Sequence, residues 1–237
     1  LPQENGLVEW KVTGLFSAEG KEECVPCTDG IHHGVVKPNG TAMQYEDGTI
    51  CRTFGTTVYA MMHQPKEVIE QTIDTMLHSP FNKIRTCVFP KHYVFNENEP
   101  EYFAFERKGD GSFDFQQPCM KFWNAMDEML QIFDEHEIQV DLILFHPYDW
   151  WGFSKMTKEQ YLPYLHYLLA RLAAYPNVWW SLANEYDCMN AFSKEDWKSI
   201  ENYISQTDVY GHMLSCHYML EPYDYSCENV THCSVQG

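Results

Sequence analysis

The pair Asn184-Glu185 is the strongest candidate for chemistry in this sequence. It directly follows the apolar, β-prone run Trp179-Trp-Ser-Leu-Ala183, so a carboxyl group stands where a buried strand ends. Taken alone, Glu185 is equally well explained as an exposed loop carboxylate. A carboxyl group at such a position can also act as a general acid or base, because apolar walls and neighbouring carboxylates disfavour the ionised form.

Polar side chains also lie in or directly after the other predicted strands. In chain order the candidates are Tyr59 and His63, Arg85 with Lys91 and His92, His146, Asp149, Trp150 and Trp151, Asn184, Glu185 and Asp187, His217 and Tyr218, and His232 and Gln236. These are mostly residue types that bind sugars. Since the carboxyl ends of parallel strands gather on one face of an α/β barrel, such residues are expected to form one site.

Strands and helices alternate strictly from residue 51 onward. The predicted strands are Thr53–Ala60, Lys83–Phe89, Gln139–Phe145, Val178–Ala183, Met213–Tyr218 and Val230–Val235. Helices are predicted from Gln64-Pro65, near Pro118, from Thr157 with a capping box to Gln160, and from Ser193, with a long polar loop around 96–111. This alternation indicates an α/β fold, either a (β/α)₈ barrel or a doubly wound sheet. No glycine-rich phosphate loop follows the first strand, which favours the barrel.

The division of the chain is predicted from its change of pattern. Residues 1–50 lack helical periodicity, with short β pieces at Leu7–Val12 and His33–Lys37, and indicate the remnant of a small β domain with a lead-in strand. Residues 51–237 are expected to form the barrel. A complete (β/α)₈ barrel needs about 250 residues, so six visible strands predict that the barrel is incomplete at its C-terminal end.

Three motifs carry a resemblance to a known group of enzymes. The string Tyr175-Pro-Asn-Val-Trp-Trp-Ser-Leu-Ala-Asn-Glu185, together with Phe54-Gly-Thr-Thr-Val-Tyr59 and His146-Pro-Tyr-Asp-Trp-Trp151, resembles the clan A (β/α)₈ glycoside hydrolases. It is most similar to a branch of bacterial glycosidases that has apiosidase-like proteins among its relatives and a small β-sandwich before the barrel. The resemblance covers roughly residues 30–237.

The resemblance implies a retaining mechanism and assigns roles to residues. Retaining hydrolysis uses two carboxyl groups about 5 to 5.5 Å apart. Glu185 would be the acid/base, Asn184 would bind the sugar 2-hydroxyl, and Arg85 would orient the nucleophile or, alternatively, form a buried ion pair. The nucleophile would be a glutamate ending a seventh strand, which the chain does not contain. Asp149 and Asp187 are weak substitutes.

The remaining candidates are substrate-binding residues. Trp150 and Trp151 are expected to divide two tasks, one stacking on a sugar ring and one closing the barrel. The other candidates are Tyr59, His146, His217, Tyr218 and His232, each of which could equally be a hydrogen-bonded structural residue.

Charge and composition restrict the partners. The net charge of −18 argues against nucleic acid and, more weakly, against polyanionic glycans. With the glycosidase resemblance, the expected substrate is a neutral plant-type or microbial glycan. No cofactor or metal is expected. The sequence has no run of about 20 apolar residues, so no membrane span is predicted. The nine cysteines are an odd number set mostly in apolar segments, which indicates reduced thiols and a cytoplasmic location.

Three other interpretations remain open. His63, His146, His217 and His232 could serve a metal-dependent barrel hydrolase, although no His-x-His pair ends the first strand. Cys24-Val-Pro-Cys27 followed by His32-His33 resembles half of a zinc site, but no second ligand pair follows. A non-catalytic carbohydrate-binding barrel is the third. An incomplete barrel would also leave two open strand edges, through which residues 1–237 are expected to self-associate or aggregate without activity.

Overall fold

A computed structural model describes residues 5–236. Its strands are β1 (Gly6–Val12), β2 (Ala18–Cys24), β3 (Val36–Asn39), β4 (Ala42–Tyr45), β5 (Ile50–Cys51), β6 (Gly55–Thr57), β7 (Lys83–Cys87), β8 (Phe105–Arg107), β9 (Phe113–Pro118), β10 (Gln139–Phe145), β11 (Val178–Ala183) and β12 (Leu214–Ser215). Its α-helices are α1 (Lys66–Leu77), α2 (Met120–Asp134), α3 (Lys158–Leu172) and α4 (Lys194–Thr207).

A parallel sheet organises the main part of the chain. Within the described residues, five strands lie in the order β12-β11-β10-β7-β6, and every neighbouring pair is parallel. All residues of β10 and β11 are buried, which explains why both are mostly apolar in sequence, with only Gln139, Asp141 and Ser181 as polar residues. The α/β prediction is therefore confirmed, and the bounds predicted for these two central strands are the observed ones.

The helices cover the sheet and begin where the capping signals predict. Thr157 caps α3, and its backbone N–H donates to Gln160 Oε1 at 2.8 Å. Ser193 caps α4 through the reciprocal pair with Asp196, whose N–H donates to Ser193 Oγ at 3.1 Å. Each cap of this kind stabilises a helix by about 1 kcal/mol. Within residues 5–236, no helix has both the length and the apolar character needed to cross a bilayer.

The sheet does not close into a barrel over the described residues. The sixth predicted strand, Val230–Val235, is wrong as a strand, because this segment makes only one parallel bridge, between His217 and Ser234. The first and fifth strands are shorter than predicted, at Gly55–Thr57 and Leu214–Ser215. Strands with one neighbour or a short partner have fewer ladder hydrogen bonds to define them, so their ends are irregular.

A small antiparallel sheet lies against the amino-terminal end of the parallel strands. Strands β3, β4 and β5 form this sheet, and Val36 and Cys51 pack with Trp179 and Met213 in a cluster of their own. Trp179 belongs to the start of β11, at the end opposite Glu185. The hairpin β1–β2 precedes it, in the segment where the sequence predicted short β pieces.

The segment after β7 is not the long polar loop that the sequence predicts around 96–111. It contains β8, which pairs with β9 as an antiparallel hairpin. Phe103, Phe105 and Phe113 are buried there, and the ring of Phe153 lies 4.7 Å from that of Phe113. Three aromatic side chains separated by polar residues give too weak a periodicity to reveal so short a hairpin.

Candidate active site

Glu185 lies at the carboxyl end of β11 in a strained backbone conformation. Its φ and ψ of 56° and 57° lie in the left-handed region, which is rare for residues other than glycine. The side chain is 8% exposed, and the backbone N–H donates to His217 Nδ1 at 3.3 Å. Strain of this kind costs about 1 to 3 kcal/mol and persists mainly at functional sites. Glu137 shares this conformation, but its side chain is 54% exposed in the turn after α2. Glu185 differs because it is buried and follows a buried strand.

Asn184 presents an unused hydrogen-bond donor next to Glu185. Its backbone N–H donates to the Phe145 carbonyl at 3.0 Å, and its Oδ1 accepts from the Tyr59 hydroxyl at 3.4 Å. Its Nδ2 is buried and has no partner among the described residues. A buried amide donor without a partner costs about 1 to 3 kcal/mol, so this group is a candidate for ligand binding.

Tyr148 is a site residue that the sequence did not single out. It follows β10, and its hydroxyl donates a short hydrogen bond to Glu185 Oε2. Burial, and then this bond to Glu185, raise the pKa of Tyr148, so the phenol stays protonated and remains a donor. Its position two residues after His146, in a loop rich in aromatic residues, is the sequence feature that could have identified it.

His217 comes to Glu185 from the end of β12. Burial lowers the pKa of His217, and the nearby Arg85 lowers it further, so the ring is neutral near pH 7. Since the Glu185 backbone can only donate, Nδ1 is the acceptor and the proton of the neutral ring lies on Nε2. His217 therefore offers a donor at Nε2. Its neighbour Tyr218 is half-buried, with ring centroids 6.5 Å apart.

Arg85 reaches across the inner side of the sheet from β7. Its Nη2 donates to Ser181 Oγ on β11 at 3.0 Å, and its Nη1 to Ser234 Oγ at 3.4 Å. Its Nε is buried without a partner, and no ion pair to Arg85 is present among the described residues. The alternative of a buried ion pair is therefore not what the structure shows, and the guanidinium charge remains available to an anionic group.

The two tryptophans after β10 have different surroundings. Trp150 is 74% exposed and stacks on His92 with ring centroids 4.8 Å apart. Trp151 is half-buried, donates from Nε1 to Glu99 Oε2 at 2.9 Å and packs edge-on against Phe103. Trp150 is thus the better candidate for a sugar platform, and Trp151 for a structural residue.

We expect Trp150→Ala and Trp151→Ala to separate binding from stability. Trp150→Ala should raise KM by about 2- to 10-fold, the worth of one aromatic stacking contact, with a free energy of unfolding within about 0.5 kcal/mol of wild type. Trp151→Ala should lower that free energy by about 1 to 3 kcal/mol. Steady-state kinetics and urea unfolding measure both. Equal stability losses with unchanged KM in the two variants would make both plain packing residues.

His146 and His63 are buried beside the site. His146 Nε2 lies 3.1 Å from the Phe89 carbonyl and so carries the proton, while its Nδ1 has no partner within residues 5–236. His63 stacks on Phe122 at 5.5 Å, and neither of its ring nitrogens has a partner in that range. Burial lowers the pKa of His146 to about 4 and that of His63 to about 3. Both rings are therefore neutral supports for the site.

These histidines predict a loss of stability in acid. The ordinary pKa is 6.5, so below that pH the unfolded chain binds protons that the folded chain excludes. The free energy of unfolding should be fully retained above pH 6.5 and fall towards pH 4, by up to about 3 kcal/mol for His146. Urea unfolding between pH 4 and 7 measures this slope. His146→Gln should flatten it, whereas the exposed His136→Gln should not, and an unchanged slope in His146→Gln would count against the assignment.

Asp149 and Asp187 are occupied by backbone donors. Asp149 accepts from the N–H groups of Trp151 at 2.8 Å and Ser154 at 2.6 Å. Asp187 accepts from three consecutive N–H groups, those of residues 219–221, at 2.8 to 2.9 Å. Burial would raise the pKa of Asp187, but these backbone bonds outweigh it and the pKa is lowered. Both carboxylates shape loops and are poor nucleophile candidates.

Some predicted residues lie apart from this group. His232 contacts Thr231 at 3.0 Å and packs edge-on to Trp179, towards the other end of the sheet.

Among the described residues, the one group of three His, Cys or carboxylate side chains close enough to share an ion is Cys27, Asp29 and His32, which is exposed. The four histidines of the metal-hydrolase interpretation do not form such a group. A cavity of about 230 Å³ lies between the β8–β9 hairpin, α2 and α3, away from Glu185.

Sequence comparison places residues 37–233 in the family described as "Apiosidase-like, catalytic domain". The chain belongs to this family. No curated protein sequence matches the chain. Among solved structures, a candidate glycoside hydrolase from Bacteroides vulgatus ATCC 8482 is 33% identical, with a TM-score of 0.93 over 100% of this chain and 49% of that protein. This apiosidase-like chain thus spans about half the length of that relative.

Two more distant structures share the fold of this apiosidase-like domain. A glycoside hydrolase family 5 protein from Bacteroides vulgatus ATCC 8482 is 15% identical, with a TM-score of 0.62 over 84% of this chain and 43% of that one. A family 5 mannosidase from Rhizomucor miehei is 11% identical, with a TM-score of 0.63 over 85% of this chain and 61% of that one. The expected resemblance to apiosidase-like glycosidases is confirmed at the level of family and fold.

Proposed function

We propose that the chain forms the larger part of a (β/α)₈ barrel that hydrolyses O-glycosidic bonds of neutral plant-type or microbial glycans with retention. One observation carries this proposal. Glu185 adopts a left-handed conformation at the end of a buried parallel strand, beside the buried and unpaired amide donor of Asn184. Family membership supports the reaction class.

Glu185 acts as the acid/base in this proposal. Its carboxyl group protonates the leaving oxygen in the first step and removes a proton from water in the second. Tyr148, which donates to Oε2, fixes the side chain so that one oxygen remains for the substrate. Asn184 Nδ2 donates to the sugar 2-hydroxyl, a bond that strengthens as the transition state forms.

The nucleophile is proposed to be a glutamate that ends a seventh strand, as in the enzymes that the sequence resembles. Asp149 and Asp187 are engaged by backbone N–H groups, so neither is free to attack an anomeric carbon. Arg85, with its unpaired Nε and no carboxylate partner in the described chain, is the group proposed to hold that second carboxylate in its ionised form.

The proposal is tested with the full-length protein on a panel of aryl glycosides and plant and microbial oligosaccharides. We expect hydrolysis of at least one neutral glycoside, with ¹H NMR showing that the first product keeps the anomeric configuration of the substrate. Inversion would overturn the mechanism. Binding without any hydrolysis would favour the non-catalytic carbohydrate-binding alternative.

A further inference from the structure

Lys91 is a buried cation enclosed by tyrosine rings. Its Nζ lies 3.6 Å from the ring centroid of Tyr59, 4.2 Å from that of Tyr148 and 4.9 Å from that of Tyr93. The residue is 7% exposed, and within residues 5–236 its ammonium makes no hydrogen bond or ion pair. A desolvated cation–π contact contributes about 2 kcal/mol, so three rings can retain a charge that would otherwise favour water.

Two of these tyrosines also hold the catalytic pair of the proposed function. The Tyr148 hydroxyl donates to Glu185 Oε2, and the Tyr59 hydroxyl donates to Asn184 Oδ1 at 3.4 Å. The two rings come from the ends of different strands, β6 and β10. The Lys91 ammonium is the one group in contact with both ring faces among the described contacts, so it joins the supports of Asn184 and Glu185.

The backbone around Lys91 is held in place. The His92 N–H donates to the Tyr148 carbonyl at 2.9 Å, which ties the loop after β7 to the loop after β10. The Lys91 carbonyl accepts from Asn96 Nδ2 at 2.8 Å, and Asn96 is itself buried. These bonds fix the backbone of Lys91, and so the point from which its side chain reaches the three rings.

The charge in this cage is costly, which argues against a purely space-filling role. Burial lowers the pKa of Lys91, although Cys87 and Glu185 act in the opposite direction. An apolar side chain of equal length would fill the same space without that cost. Buried titratable groups of this kind cluster at functional sites because a charge is needed there.

We propose that Lys91 is a positioning residue for Asn184 and Glu185, holding Tyr59 and Tyr148 in place and supplying a fixed positive charge beside the Glu185 carboxyl. The inference rests on the proposed function. Glu185 raises the pKa of Lys91, so the two groups interact as opposite charges. Such coupling is reciprocal, so removing the cation is expected to change the alkaline limb of the pH profile.

The test compares Lys91→Met with Lys155→Met in the full-length protein. Lys155 is exposed in the loop after β10 and serves as the matched control. Lys91→Met should lower kcat on substrates with poor leaving groups by about 10- to 100-fold, the usual cost of misplacing a catalytic group by about 1 Å. The alkaline limb of the kcat/KM profile should move to higher pH, because the cation is gone. Lys91→Arg, which keeps the charge, should leave that limb nearer its wild-type position.

A merely structural lysine would lower the melting temperature without moving the alkaline limb, and that result overturns the proposal. So does a Lys91→Met enzyme with the kcat and profile of Lys155→Met. ¹³C-lysine NMR of the folded wild-type protein gives a readout that needs neither the variant nor activity. The pKa of Lys91 should lie below its ordinary value and fall further in Glu185→Gln, because Glu185 raises it.

An unchanged Lys91 titration in Glu185→Gln also overturns the proposal. Complete inactivity of the wild-type protein on the glycoside panel, by contrast, would overturn the proposed function. The NMR titration would then still decide whether Lys91 and Glu185 are coupled.

Discussion

Glu185→Gln should lower turnover by about 10²- to 10⁴-fold on substrates with poor leaving groups, the usual contribution of a positioned acid/base. The substitution keeps the size and the hydrogen bond from Tyr148, since the amide oxygen can accept it. The free energy of unfolding should change little. With activated aryl leaving groups, the rate of the first step should fall less, because these groups depart without protonation.

Two controls make this test specific. Glu128→Gln removes an exposed carboxylate from the middle of α2 and should leave the kinetics unchanged. Azide added to Glu185→Ala should restore turnover of an activated substrate and yield a glycosyl azide, because azide attacks without needing a base. Wild-type rates for Glu185→Gln on poor leaving groups would show that Glu185 is not the acid.

Trp180→Ala should cause a large loss of stability. Trp180 is fully buried in the middle of β11, and its Nε1–H donates to Asp208 Oδ2 at 2.9 Å. Removing the indole should lower the free energy of unfolding by about 3 to 5 kcal/mol. Urea unfolding followed by far-ultraviolet circular dichroism measures this loss.

Trp180→Phe separates packing from hydrogen bonding in the same position. It keeps most of the ring volume but removes the donor to Asp208, whose carboxylate keeps the two contacts from His212. The expected loss is about 1 to 3 kcal/mol, the cost of weakening a buried charged acceptor. If Trp180→Phe were as destabilising as Trp180→Ala, the hydrogen bond and not the packing would dominate.

The elements that the sequence predicts best are those buried on both faces. Strands β10 and β11 are mostly apolar in sequence because every residue in them is buried. Helix α3 was located by its cap at Thr157, a local signal that needs no knowledge of the fold. Val230–Val235 contains β-prone valine and threonine, but a strand also needs a partner along its length, and residue types alone do not supply one.

The site was predictable only in part. Asn184, Glu185 and His217 lie together as the sequence predicts, because parallel strand ends meet on one face. Tyr148 and Lys91 make their proposed contacts between different loops. Tyr148 contacts Glu185, 37 residues further along the chain, and Lys91 contacts Tyr148, 57 residues further along. Such contacts depend on side-chain direction and not on composition. The prediction for His232 assumed a strand at Val230–Val235, which does not form, and His232 instead packs against Trp179.

The left-handed backbone at Glu185 bears on how such a domain can evolve. Glycine or asparagine occupies this region of φ and ψ more comfortably than glutamate does. Substitution of Glu185 by glycine or asparagine would therefore tend to produce proteins that fold at least as well but lack the proposed acid. At this buried strand end, selection for the proposed chemistry would favour keeping glutamate. In a relative that binds sugars without catalysis, we would therefore expect glycine or asparagine at the position of Glu185, at the end of an otherwise unchanged strand.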